Sequence, residues 1–267
     1  MSRIVRSGVA SAAFLLACGL IGTGSPAFAA GKGHAAPVTH GHAAPSAHGH
    51  STAHSHPAPH KPVDKLAGVR RGATNALAAS TARVKRIAAA EGASSALSTD
   101  DQAALASATT ADLAALTADG QAVATATSTK AILAASQSGL ATALGADLQY
   151  RVVLAAANAQ AKADSLTADA APVSEQASTL AADGTDVSTV TDPLDDLASQ
   201  VDQAQASAAT ARTAGLALPV TPSATQLRST GAVAHQALDT AASALTAGEA
   251  DLTAATTALA ALQAPTA

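Results

Sequence analysis

The C-terminal stretch from residue 227 carries small and apolar residues at alternating spacings of four and three, the pattern of a coiled-coil seam. The positions are Leu227, Gly231, Ala234, Leu238, Ala241, Leu245, Gly248, Leu252, Ala255, Leu259 and Leu262. An average step of 3.5 residues keeps one side of an α-helix facing a partner over many turns. The stretch therefore predicts a long helix packed against another helix.

The composition restricts the kind of core that the chain can form. Aromatic residues make up 1% of the 267 residues, and most of the apolar residues are alanine. A buried methyl group contributes about 0.8 kcal/mol, against about 1.5 to 3 kcal/mol for Leu or Val, so many close helix contacts must replace a few large side chains. Alanine also has the highest helix propensity. We therefore expect an all-α fold, an elongated, antiparallel and coiled-coil-like helical bundle.

Start and stop signals divide residues 64–267 into six predicted helices. Their bounds are about 64–91, 99–123, 128–144, 147–182, 193–214 and 223–263. The alternative at Gly145 is that the helix runs on, so that the third and fourth helices are one. Pro172 lies inside the fourth helix and has no backbone N–H, so a kink or break is expected near it. Asp192 followed by Pro193 is typical of an N-cap with proline at the first helical position.

The first 29 residues have the layout of a secretory signal peptide. Arg3 and Arg6 precede an apolar stretch, and the small-x-small sequence Ala27-Phe28-Ala29 predicts cleavage after Ala29. Cys18, the only cysteine, lies in Leu15-Leu16-Ala17-Cys18, which resembles a bacterial lipobox; lipid anchoring there is the less favoured alternative. We expect a secreted or cell-wall-associated protein whose mature chain has no thiol and no membrane span.

Residues 30–63 are rich in His, Pro, Ala, Gly and Ser, and this composition predicts a disordered segment. Three His-x-His pairs lie in it: His40 with His42, His48 with His50, and His54 with His56. In an extended chain both imidazoles of a pair lie on the same side and can bind Zn²⁺, Ni²⁺ or Cu²⁺. The alternatives are a low-complexity linker without a metal role, and a segment that becomes cationic in mild acid and attaches to an anionic wall.

Charge is distributed unevenly along the chain. Residues 61–86 contain seven basic residues and one acidic residue, whereas five basic and eighteen acidic residues follow from position 87 onward. The basic segment could dock to an anionic partner or pair with the acidic remainder inside one bundle. Internal pairing is the favoured interpretation, and the lack of aromatic residues in this segment argues against nucleic-acid binding.

The predicted helical region has few groups that could form an active site. His235 is its only histidine, and we expect it on the exposed flank of the last helix. Asp195 and Asp196 are adjacent and do not share a helix face, so they are interpreted as solvated. No phosphate-binding loop, nucleophile elbow or H-E-x-x-H motif is present in the sequence. We therefore expect neither an enzyme nor a resident cofactor.

Short segments of the predicted helical region resemble a set of uncharacterised, exported helical proteins of actinobacteria. The segments are Tyr150-Arg151-Val152-Val153, Gly184-Thr185-Asp186-Val187-Ser188, Leu194-Asp195-Asp196-Leu197 and Leu218-Pro219-Val220-Thr221-Pro222. The resemblance covers about residues 65–263 and implies export and a helical fold, but it transfers no activity and no binding residue.

Two functional hypotheses follow from the sequence. The first is an exported structural or interaction protein of the cell envelope or extracellular space, with an unidentified protein or wall polymer as partner. The alternative is a metal-binding or metal-buffering protein that acts through the His-rich segment. The sequence does not identify the partner or the oligomeric state.

Overall fold

The computed structural model describes residues 65–264, which belong to one unit, Pro59–Ala267. These residues form five helices and no strand: α1 (Lys65–Ala93), α2 (Thr99–Thr125), α3 (Thr129–Ala182), α4 (Ser188–Leu216) and α5 (Ala224–Leu262). The prediction of an all-α bundle is confirmed for this part of the chain. The predicted signal peptide and the His-rich segment lie outside the described residues.

Two three-helix bundles share the long helix α3. The N-terminal half of α3 packs with α1 and α2 around buried residues that include Leu77, Val84 and Ile132. The C-terminal half packs with α4 and α5, where Ala163 and Leu197 are among the buried residues. With 54 residues, α3 is about 80 Å long at about 1.5 Å per residue, long enough to serve both bundles.

The second bundle is held together largely by small side chains. Ala204 and Ala211 of α4, and Ala241 and Ala255 of α5, have no exposed surface. Because these side chains are small, the helix axes can approach closely and bring many backbone and methyl contacts together. The coiled-coil seam predicted from residue 227 onward is the face of α5 that lies in this core.

Side-chain caps begin three of the helices. The hydroxyls of Ser98, Ser128 and Ser223 accept backbone N–H bonds at the starts of α2, α3 and α5, and Ser223 forms a capping box with Gln226. After α3 the chain turns through Gly184, whose φ of 83° is the left-handed conformation that glycine adopts without strain. The predicted starts of α2 and α5 therefore rest on identifiable caps.

Two predicted helix boundaries are wrong. The helices predicted at 128–144 and 147–182 are one continuous helix, which Pro172 does not end, because Leu166 and Val173 on either side of the proline are buried in the second bundle. Helix α4 starts at Ser188 and not at residue 193, since the fully buried Val190 packs into the core one turn before Pro193.

None of the five described helices has an apolar stretch that could cross a lipid bilayer. Polar Thr, Ser, Asp and Gln residues recur along the two longest helices, α3 and α5. This finding concerns residues 65–264 only.

Candidate functional site: a basic groove and a buried carboxyl pair

A groove of about 280 Å³ runs between α1 and α3 in the first bundle. Its polar wall comes from Arg83 and Arg86 of α1 and from Asp147, Tyr150 and Arg151 of α3. The two helices lie side by side at this point, because Val84 and Ile87 of α1 and Ala143 and Ala146 of α3 are buried in the same core. Arg83 and Arg86 are three residues apart, so both guanidinium groups lie over the same side of α1.

One carboxylate organises two of the three arginines. Asp147 lies 2.9 Å from Arg83 Nη2 and 3.0 Å from Arg151 Nε. Arg86 is exposed and forms no ion pair with any described residue. The groove therefore carries three positive charges against one negative charge, and the side chain of Arg151 is 71% exposed.

The other basic residues of α1 also lack ion pairs with described carboxylates. Arg70 donates from Nη2 to the carbonyl of Ala126 at 2.7 Å, and so stabilises the C-terminal end of α2 without pairing with a carboxylate. Lys65, Arg71 and Lys85 are exposed, and none of them pairs with a described carboxylate. Of the basic residues of α1, Arg83 alone forms an ion pair within residues 65–264. The expected pairing of the basic segment with the acidic remainder is therefore observed at Arg83 alone within the described part of α1.

A pair of carboxyl groups lies buried between α1 and α2. Glu91 and Asp112 are each 3% exposed. The hydroxyl of Thr109 donates to the Glu91 carboxyl group, with both oxygens 3.0 Å away. Burial raises the pKa of Asp112 to about 7, and the charge of Glu91 adds to this increase. Burial also raises the pKa of Glu91, although the Thr109 hydrogen bond acts in the opposite direction.

Sequence analysis missed this buried pair. Glu91 follows Val84 and Ile87 at spacings of three and four, and Asp112 lies between Leu105 and Leu116 on the seam of α2. Extending the apolar periodicity through these polar positions would have placed both carboxyl groups in the core. The spacing of three and four residues was the signal for burial, but Glu91 and Asp112 are polar, and a search for apolar residues does not include them.

Another buried acid lies where the two bundles meet. Asp101 of α2 accepts a bond from Arg212 Nε of α4 and another from the hydroxyl of Ser98 at 2.8 Å. Leu105 and Val153 pack close by, with Leu216 of α4 against them. This ion pair links α2 directly to α4, so its place in the structure indicates a role in joining the bundles.

A larger groove, of about 590 Å³, lies between α4 and α5. It contains His235, whose Nε2 lies 3.4 Å from Asp239 Oδ2, and both side chains are more than half exposed. Gln200 and Gln203 line the groove from the facing helix α4. The predicted exposure of His235 is confirmed, as is that of Asp195 and Asp196. Thr240 and Ser243 also line the groove, but their hydroxyls donate to the backbone carbonyls of Gln236 and Asp239 and not to His235.

The predicted metal ligands His40, His42, His48, His50, His54 and His56 lie outside the described residues. Within residues 65–264, no group of three or more His, Cys, Asp or Glu side chains converges in a way that could hold a metal ion.

In comparisons with known proteins, no family model matches the chain, and no curated protein or solved structure is significantly similar to it. The resemblance to exported actinobacterial helical proteins therefore stays a prediction.

Proposed function

We propose that the protein is an exported, non-catalytic interaction protein that attaches to an anionic polymer of the cell envelope through the groove between α1 and α3. The signal-peptide layout of residues 1–29 supports export. The observation that carries the attachment is the cluster of Arg83, Arg86 and Arg151 around a single carboxylate. This local excess of positive charge stands out in a chain whose net charge is −4.

The chemistry of the groove favours phosphate or carboxylate groups as ligands. Arginine presents planar, forked N–H donors that bind such anions at two points. Asp147 orients Arg83 and Arg151 before any ligand binds, so less side-chain entropy is lost on binding. Tyr150 adds a partly buried ring to the wall of the groove. An extended polymer suits an open groove on a helix surface better than a small, enclosed ligand does.

The test compares binding of soluble polyanions to the wild-type chain and to two charge-reversal variants. Polyphosphate and polyglutamate serve as probes for the two anionic groups. R86E reverses an exposed charge in the groove, and R228E makes the same change at an exposed position on α5. We expect R86E to weaken binding about tenfold and R228E to change it little, with all affinities falling as salt rises.

Two results would contradict the proposal. Equal weakening by R86E and R228E would mean that only net charge matters. If neither polyphosphate nor polyglutamate binds at low ionic strength, the groove does not bind an anionic polymer and the proposal is wrong. Circular dichroism of both variants controls for loss of helix.

A metal-binding function is the second candidate, and the three His-x-His pairs favour it. The two functions reside in different parts of the chain and can be separated. Deletion of residues 31–62 removes the proposed ligands and leaves the groove unchanged, so metal binding would be lost while polyanion binding persists.

A further inference from the structure

The N-terminal half of α3 has an apolar face that no described helix covers. Leu133, Leu140 and Leu144 are 49%, 53% and 39% exposed. Between Lys130 and Asp147 this helix contains no charged residue. The residues beside the leucines on the same face include Ala134 and Ala141, so the surface is a stripe of leucine and alanine interrupted by Gln137 and hereafter called the leucine stripe.

The leucine stripe continues a surface that packs against a helix elsewhere in the same molecule. Four residues after Leu144, Leu148 approaches α5 at Gly231, and Val152 lies in the core that α3 shares with α4 and α5. Helix α5 starts at Ala224, and the loop before it docks on α3 at Gly145 through Pro222. N-terminal to that point the seam of α3 continues, but it has no helix packed against it in the described structure.

The spacing of the leucine stripe reads the same in both directions. Residues 133, 137, 140 and 144 are separated by four, three and four positions. When two such helices pack antiparallel about a twofold axis, Leu133 of one copy lies opposite Leu144 of the other, and Leu140 lies opposite Gln137. Ala134 and Ala141 leave room for the two helices to approach closely.

We propose that the leucine stripe is a homodimer interface in which two copies of this chain pack α3 against α3 in antiparallel orientation. A second copy fits because a twofold interface requires a self-complementary surface, which the palindromic spacing provides. The absence of charge on residues 131–146 means that two identical faces meet without repulsion. The stripe covers few helical turns, so the dimer is a small interface and dissociates at micromolar concentration.

Sedimentation velocity of the full chain over about 1 to 500 µM, the range expected for an interface of this size, tests the proposal. L140E places two carboxylates near the twofold axis and should weaken the dimer more than tenfold. V233E is the matched control, because Val233 is 48% exposed but lies on α5, away from the leucine stripe. Both substitutions are at exposed positions, and circular dichroism verifies that both variants keep their helix content.

Disulfide trapping tests the antiparallel register. In a C18S background, a mixture of L133C and L144C should form a mixed disulfide dimer under mild oxidation, whereas L133C alone should not. A dimer that forms equally well with L140E, or one in which L133C crosslinks to itself, would overturn the proposal.

Two further results would give the leucine stripe another occupant and also overturn the proposal. In the first, the chain stays monomeric at the highest concentration and the L140C thiol is alkylated freely. The leucine stripe is then exposed in the isolated chain and would bind a different protein. A monomer in which the L140C thiol is protected would assign the stripe to the N-terminal residues of the same chain.

Discussion

Replacement of Asp112 by Asn tests whether the buried carboxyl pair makes the stability of the protein depend on pH. Asp112 lies in the interface of α1 and α2 beside Glu91, and no cation is among the described partners of either residue. The amide keeps the size of the side chain and cannot ionise. D112N therefore removes the charge that burial disfavours while preserving the packing.

The pKa shift gives both the sign and the size of the effect. The pKa of Asp112 rises from 3.8 to about 7 in the folded chain, so between these values the folded state binds more protons than the unfolded state. The free energy of unfolding is therefore highest in acid and falls as pH rises toward about 7. A shift of about three pK units corresponds to about 4 kcal/mol as an upper limit. The raised pKa of Glu91 acts with the same sign.

Urea unfolding followed by circular dichroism at about pH 4, 6 and 8 measures this dependence. We expect wild type and D112N to be similar at the lowest pH, and D112N to be more stable at the highest by about 2 to 4 kcal/mol. D196N, at an exposed position on α4, controls for the change in net charge. If wild type and D112N keep a constant difference in unfolding free energy at all three pH values, Asp112 does not titrate in this range and the reasoning is wrong.

Three further outcomes follow from glycine packing and from the His-rich segment. G145A should lower the free energy of unfolding by about 1 to 3 kcal/mol in urea, because a Cβ at Gly145 would lie 2.8 Å from the ring of Pro222. G120A should raise it by up to about 1 kcal/mol in the same assay, because a Cβ added at Gly120, inside α2 near its C-terminal end, would meet no neighbouring side chain or helix within 4 Å. In calorimetric titration with Zn²⁺ or Ni²⁺, the chain lacking residues 31–62 should lose the binding heat of the full chain, and equal heats would contradict the metal hypothesis.

The parts of the fold that the sequence predicts best are those where one physical signal is sufficient. The seam of α5 is long and periodic, and the bounds Ala224–Leu262 lie within one residue of the prediction. The start of α2 was also predictable, because Ser98 accepts a bond from the backbone N–H of Asp101, as an N-cap does. Both features depend on local sequence and on one helix face.

Local sequence does not decide between two helices and one continuous α3, because the answer depends on contacts with distant residues. Gly145 reads as a helix stop from local propensity. In the structure this glycine is inside the helix, at the point where the loop before α5 packs Pro222 against it. The need for a residue without a side chain arises from a segment more than seventy positions away, and no local pattern contains that information.

The candidate site was predictable only as a charge imbalance. The basic character of residues 61–86 was evident, but its interpretation depends on which acidic residues the fold brings to α1. The structure brings Asp147 to Arg83 and leaves Arg86 unpaired among the described residues. The interaction between positions 83 and 147 is non-local, so the sequence alone could not distinguish internal pairing from an exposed anion-binding face.

The two bundles differ in a way that bears on how the protein responds to its surroundings. The first bundle contains the basic groove, the leucine stripe and the Glu91–Asp112 pair, whereas the buried seam between α4 and α5 is formed by alanine, leucine and valine. Ionisation of the carboxyl pair at rising pH should therefore weaken the first bundle more than the second. Because the C-terminal half of α3 packs against α4 and α5, this half should stay helical when α1 and α2 loosen. It follows that any polymer-binding activity of the groove should decline toward alkaline pH before the helix content of the whole chain does.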